Sequence, residues 1–207
     1  MSESFILRTY PFREADLIVS FFTRDQGKLR GVARRVRKPK STYGSGLERL
    51  SHAMVSYYQK ETRELVNLNS SEILNSQSAF TASYEASVGL DYMAEISEQI
   101  LPEGEVNERH FRLLIAVLNH VRQGGSIWQA VNYFALWSVR LAGFLPDLRV
   151  CDASREIAHE MLVTPISGLA PLEWKRETAL DLRRYLQQQI EQHVERRLLT
   201  ASILESL

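Results

Sequence analysis

Leu17-Ile18-Val19-Ser20-Phe21-Phe22, Thr23-Arg24-Asp25-Gln26-Gly27 and Lys28-Leu29-Arg30-Gly31-Val32-Ala33 follow one another without interruption. Two runs rich in β-branched and aromatic residues flank a short polar stretch that ends in glycine. This is the pattern of a β-hairpin, with Gly27 supplying the positive φ that tight loops need. Related runs lie on either side: Phe5 to Tyr10 before it, His52 to Tyr58 and Leu65 to Leu74 after it. Short strands spaced about ten residues apart, with turn chemistry between them, predict a small sandwich or barrel.

From about Ser78 the period changes from two to that of a helix. Phe111, Leu114, Ile115, Leu118 and Val121 fall close to an i, i+3, i+4, i+7 stripe, which Gly124-Gly125 ends. Ser126-Ile127-Trp128-Gln129 matches a capping box and opens a helix that is apolar most of the way round, the pattern of a buried bundle centre. That helix stops near Gly143. Pro165 and Gly168 break the segment after Pro146, and Pro171 fits the first turn of a last long helix. Its inner face would carry Leu182, Tyr185, Leu186, Gln189, Ile190 and His193. The expected class is α+β in two domains: a β-barrel over residues 1–76, then an all-α domain over 77–207.

The chain has 207 residues, 44% apolar and 24% charged, an ordinary globular composition. No run approaches the roughly 18 consecutive apolar residues of a membrane span. The opening Met-Ser-Glu-Ser-Phe lacks the basic and apolar regions of a signal peptide, and Cys151 is the single cysteine. A reduced, cytoplasmic protein is expected. The net charge is zero by cancellation: residues 1–75 carry 13 Lys and Arg against 8 Asp and Glu, whereas 76–207 carry 12 against 17. Between Arg24 and Lys40 stand eight basic residues (Arg24, Lys28, Arg30, Arg34, Arg35, Arg37, Lys38, Lys40) and one acid, Asp25. Such asymmetry points to a polyanion-binding module joined to something else. The connection from Arg34 to Gly46 is long for a compact β module and basic, which marks it as functional.

Searches for catalytic chemistry come back empty. No G-x-x-x-x-G-K-[ST], no G-x-G-x-x-G opening a helix and no G-x-S-x-G is present. His52, His110, His120, His159 and His193 are scattered with no i, i+4 pair, and they read as structural or surface groups. A lone cysteine reads as a small hydrophobe. The pairs Glu103/Glu105 and Glu191/Glu195 read as solvated acidic faces. What survives is phosphate binding by the clustered cations, with Tyr43, Tyr57 or Tyr58 as a stacking platform. Tyr57 and Tyr58, being adjacent in a strand, face opposite ways.

Phe5 to Tyr10, Arg13-Glu14-Ala15-Asp16, Phe22 to Ala33, the basic loop Arg34 to Lys40 and Leu47 to Ser51 together resemble the RecO family of bacterial recombination mediators. Leu141-Ala142-Gly143-Phe144-Leu145-Pro146-Asp147-Leu148 and the stretch from Leu182 to Leu198 are similar to its later segments. The resemblance implies an N-terminal OB-fold barrel of five strands and a helical C-terminal domain. It implies a non-enzymatic mediator that binds single- and double-stranded DNA, anneals complementary strands, and with RecR helps load RecA onto strands coated by the single-stranded-DNA-binding protein, whose C-terminal tail it recognises. By position in the matching motif, DNA contacts are expected at Lys28, Arg30, Arg34, Arg35, Arg37, Lys38 and Lys40; the charge cluster adds Arg24, and Tyr43 is the expected stacking residue. Many family members hold zinc with two cysteine pairs after G-F-x-P-x-L. Here only Cys151 stands there, so no zinc or other cofactor is expected and 147–170 becomes a reduced remnant of that region. The competing readings are an RNA-binding OB protein and a protein-interaction scaffold without annealing activity.

Overall fold

The computed structural model describes residues 1–37, 41–59, 64–75, 83–170 and 172–207. Five strands come first: β1 (Ser2–Pro11), β2 (Leu17–Thr23), β3 (Gly27–Ala33), β4 (His52–Tyr58) and β5 (Val66–Asn75). Six helices follow: α1 (Tyr84–Ile100), α2 (Glu108–Arg122), α3 (Ile127–Leu141), α4 (Asp152–Val163), α5 (Leu180–Val194) and α6 (Leu199–Ser206). The chain forms two compact units, Met1–Thr81 with Ser97–Phe111, and Ala82–Ile96 with Arg112–Leu207.

In the first unit the strands close into a barrel in the order β1-β2-β3-β5-β4. Only β3 and β5 run parallel, with Gly31 opposite Val66 and Ala33 opposite Leu68. This five-stranded order, closed by the pairing of β1 with β4 over Ser2–Phe5, is that of the OB-fold. The β2–β3 hairpin runs in register from Leu17 opposite Ala33 to Thr23 opposite Gly27. Gly27 has φ +73°, and a Cβ there would sit 2.2 Å from the Glu105 carbonyl oxygen. Glycine is therefore required both for the turn and for the close approach of the 97–111 segment.

Alternation along the strands sends Ile6, Val19, Phe21, Ala33, Ala53, Val55, Val66 and Leu68 into the barrel core. Tyr43 and Leu47, from the β3–β4 connection, plug that core as well. On the outer surface, Phe5 and Phe22 pack on Phe111, with ring centroids 4.9 and 5.6 Å apart. His110 sits beside them fully buried, and its Nε2 lies 3.1 Å from Ser97 Oγ. Asn107 Oδ1 accepts the His110 N–H and caps the start of α2.

In the second unit α3 is the buried centre, covered from Trp128 to Val139 except at Trp137. Ser126 caps it, but its Oγ accepts from Trp128 N, one residue earlier than the capping box predicts. The 147–170 segment carries α4, whose Ser154, Ala158 and Met161 face inward at i, i+4, i+7. Asp181 of α5 accepts the Cys151 N–H at 2.8 Å and the Ser154 hydroxyl, tying the start of α4 to α5. Cys151 itself is exposed.

Two expectations for this unit need correction. The last long helix starts at Leu180, after Ala179 in the left-handed region, rather than near Pro171, which lies outside the described residues. His193 is exposed and stacked on Phe144, centroids 3.8 Å apart, instead of facing the core. A final helix, α6, follows it. The Glu95 carboxylate accepts the Leu199 and Thr200 N–H groups at 2.9 Å each, satisfying donors that the start of any helix leaves free. Arg183 is buried under α6, its guanidinium 4.9 Å from the Trp128 ring and donating to the Arg176 carbonyl oxygen at 3.0 Å.

Candidate nucleic-acid interface

The basic stretch divides into two groups with different surroundings. Arg24, Lys28 and Arg30 are engaged by the acidic 97–111 segment. Arg24 holds Glu108 at 2.8 Å and Glu3 at 2.7 Å, and its guanidinium lies 5.4 Å from the Phe111 ring centre. Hydrogen bonds to Glu108 first, then to Glu3, raise its pKa further and keep it charged. Burial pushes the Glu3 carboxyl up, but hydrogen bonds from Arg24 and His52 outweigh it and leave the pKa below the ordinary carboxylate value.

Lys28 is 5% exposed and its Nζ donates to the Glu98 carbonyl oxygen at 2.6 Å. Burial lowers its pKa against the opposing pull of the Glu98 charge. Arg30 reaches Glu103 at 3.0 Å and Glu98 at 3.5 Å. The Glu98 carboxylate also accepts the Ser20 hydroxyl at 2.5 Å. Lys28 is buried on a carbonyl, whereas the Arg24 and Arg30 side chains, 41% and 44% exposed, are shared among carboxylates that compete with a phosphate for them.

Arg34, Arg35 and Arg37 stand on the turn that follows β3, all three exposed. Arg35 adopts φ +58°, and its N–H donates to Asp16 Oδ1 at 2.9 Å. The Arg37 N–H donates to the Ala15 carbonyl oxygen at 3.4 Å. Val36 packs against the barrel core between them. The turn is thus fastened to the β1–β2 loop by its backbone while its three cationic side chains are exposed. Arg34 Nη2 donates to Asn67 Oδ1 at 3.3 Å. Among the described residues none of the three has a carboxylate partner in an ion pair. Lys38 and Lys40 lie outside the described residues.

The stacking role expected of Tyr43 meets a different geometry. Its ring is 4% exposed inside the barrel and its hydroxyl donates to the Leu68 carbonyl oxygen at 2.8 Å. Burial raises its pKa. No face of that ring is open to a base. Tyr57 also turns inward, edge-on to Phe21 at 5.5 Å. Tyr58 points outward and is 44% exposed, on the same face as its cross-strand partner Asn67.

Two residues escape a reading based on charge clustering. Phe12 is exposed at the tip of the β1–β2 hairpin, and the Arg13 guanidinium lies 5.2 Å from its ring centre. They line one wall of a cleft of about 500 Å³, with Asp16, Arg34, Glu64 and Asn67 on the others. An aromatic next to a cation in a turn, directly after Pro11, is the signal that marks them. Among the described residues no group of three or more His, Cys, Asp or Glu could hold a metal ion, and Cys151, the single cysteine of the sequence, is exposed.

The family models described as Recombination protein O N terminal and Recombination protein O C terminal match residues 1–77 and 82–165. A protein named DNA repair protein RecO from Koribacter versatilis is 37% identical over 240 residues, covering all of this chain and 98% of that one. Proteins of the same name from Thermodesulfovibrio yellowstonii and Geobacter sulfurreducens are 28% and 31% identical over 77% and 73% of this chain. The chain spans 63% and 61% of the length of those two. With both family models matched in order, the chain belongs to the RecO (recombination protein O) family.

Proposed function

We propose that this protein is a non-enzymatic mediator of DNA repair by recombination, and that the Arg34–Arg37 turn is its principal phosphate contact. The observation that carries this is the contrast within one basic stretch: three cations are engaged by carboxylates or a carbonyl, while the three on the turn, held on a fastened backbone, have no ion-pair partner among the described residues. Clustered guanidinium groups neutralise phosphates and release counterions, so the site captures DNA without reading its sequence. Lys38 and Lys40 continue the same patch in sequence. Double-stranded DNA offers the same phosphates at higher density, and holding two strands at one cationic surface favours their annealing.

Family membership extends the proposal to partners: RecR, the acidic tail of the single-stranded-DNA-binding protein, and RecA, which is loaded as a consequence. No bond is made or broken. The test is fluorescence annealing of complementary strands, naked and coated with the single-stranded-DNA-binding protein, across a salt titration. Annealing on coated strands that fades with rising salt supports the mediator reading. Absence of DNA binding even at low salt overturns it.

A further inference from the structure

The cleft beside the cationic turn has a chemistry of its own. Its charged walls balance, Arg13 and Arg34 against Asp16 and Glu64, so it is not a pocket for an anion. Its floor holds Asn67, 6% exposed, whose side-chain oxygen is taken by Arg34 and whose Nδ2 is buried with no hydrogen-bond partner. That Nδ2 has no surface open to the cleft and offers nothing to a ligand there. At the rim, Phe12 is 43% exposed with the Arg13 guanidinium over its ring. A flat aromatic rim and no net charge suit a neutral, planar group.

We propose that this cleft takes one unstacked nucleobase of a single DNA strand, with the base stacked on Phe12. The strand's phosphates run along the Arg34–Arg37 turn, so this proposal rests on the phosphate site proposed above. The backbone bonds from Arg35 to Asp16 and from Arg37 to Ala15 hold the wall of the cleft and the phosphate site in fixed register, so one strand reaches both.

The test compares the full chain's affinity for an oligothymidylate with that for an abasic deoxyribose-phosphate strand of equal length. The wild type is expected to prefer the base-bearing strand by about 5-fold or more, the lower end for one base on one aromatic side chain. Phe12→Ala should remove that preference while leaving abasic affinity and salt dependence unchanged, and Phe12→Trp should restore it. Phe12 is exposed, so neither variant threatens folding. If Phe12→Ala keeps the wild-type preference, or weakens both strands equally, the subsite is wrong. Wild-type protein that binds both strands equally overturns the subsite alone; failure to bind either overturns the phosphate site as well. An oligouridylate held more tightly than an oligodeoxyuridylate would overturn the assignment to DNA.

Discussion

Residues 24–30 and 34–37 carry three cations each and are separated by the end of a single strand, yet their surroundings differ. Within their own unit Arg24 and Arg30 pair with Glu3, Glu98, Glu103 and Glu108, and Lys28 is buried on the Glu98 carbonyl. The second group has its backbone, not its side chains, tied down. Clustered charge along a sequence therefore does not by itself locate a polyanion site. What separates the two groups is whether carboxylates reach the side chains as ion-pair partners, and most of those come here from residues some seventy positions further on.

The contrast can be broken most forcefully at the 97–111 segment. Phe111 is fully buried against Phe5 and Phe22, so Phe111→Ala should cost about 3–5 kcal/mol in urea unfolding, with unchanged DNA affinity per folded molecule. A loss below about 1 kcal/mol would show that the segment is not integral to the barrel. Reversing Arg34, Arg35 and Arg37 together to glutamate should act the other way round. Binding to single strands should fall by on the order of 100-fold or more, with stability within about 1 kcal/mol of wild type.

Acid sharpens the comparison through His110. Burial pushes its pKa down to about 4, from 6.5 in the unfolded chain. The unfolded state takes up the proton first, so stability is full above pH 6.5 and declines as pH falls toward about 4. His110→Gln should flatten that part of a urea-midpoint profile against pH; an unchanged profile would remove His110 from the explanation. The smallest effect is at the cap of α2, where Asn107→Ala should cost about 1 kcal/mol, again without changing DNA affinity.

The barrel was legible because its strands announce themselves locally. Leu17 to Phe22 is β-branched and aromatic, Gly27 marks the turn, and the β4 bounds, His52 to Tyr58, coincide with those expected from the sequence. The buried α3 was legible for the same reason, since an apolar helix has nowhere else to go. Tyr43 was not, because a tyrosine in a glycine-containing connection looks like loop chemistry until the connection is seen to fold back into the barrel. The start of α5 was missed because residues 172–179 carry no strong stop signal. α6 was missed because an eight-residue helix with two buried side chains, Ala201 and Leu204, has too little periodicity to register. The pairing of Arg24, Lys28 and Arg30 with residues 98–108 is a long-range fact that no local pattern encodes. Phe12 and Asn67 were missed because their cleft joins a loop to a strand some fifty residues away.

The most direct measurement is the salt dependence of single-strand DNA affinity for two neutralised variants side by side, one with Arg34, Arg35 and Arg37 changed to glutamine, the other with Arg24 and Arg30 changed to glutamine. At about 0.7 log units per log salt for each phosphate contact, the triple variant should lose about 2 from the slope. The double variant should keep the wild-type slope and lose stability. A slope that falls in the double variant and holds in the triple would place the DNA on the acidic-segment side and contradict the assignment to the Arg34–Arg37 turn.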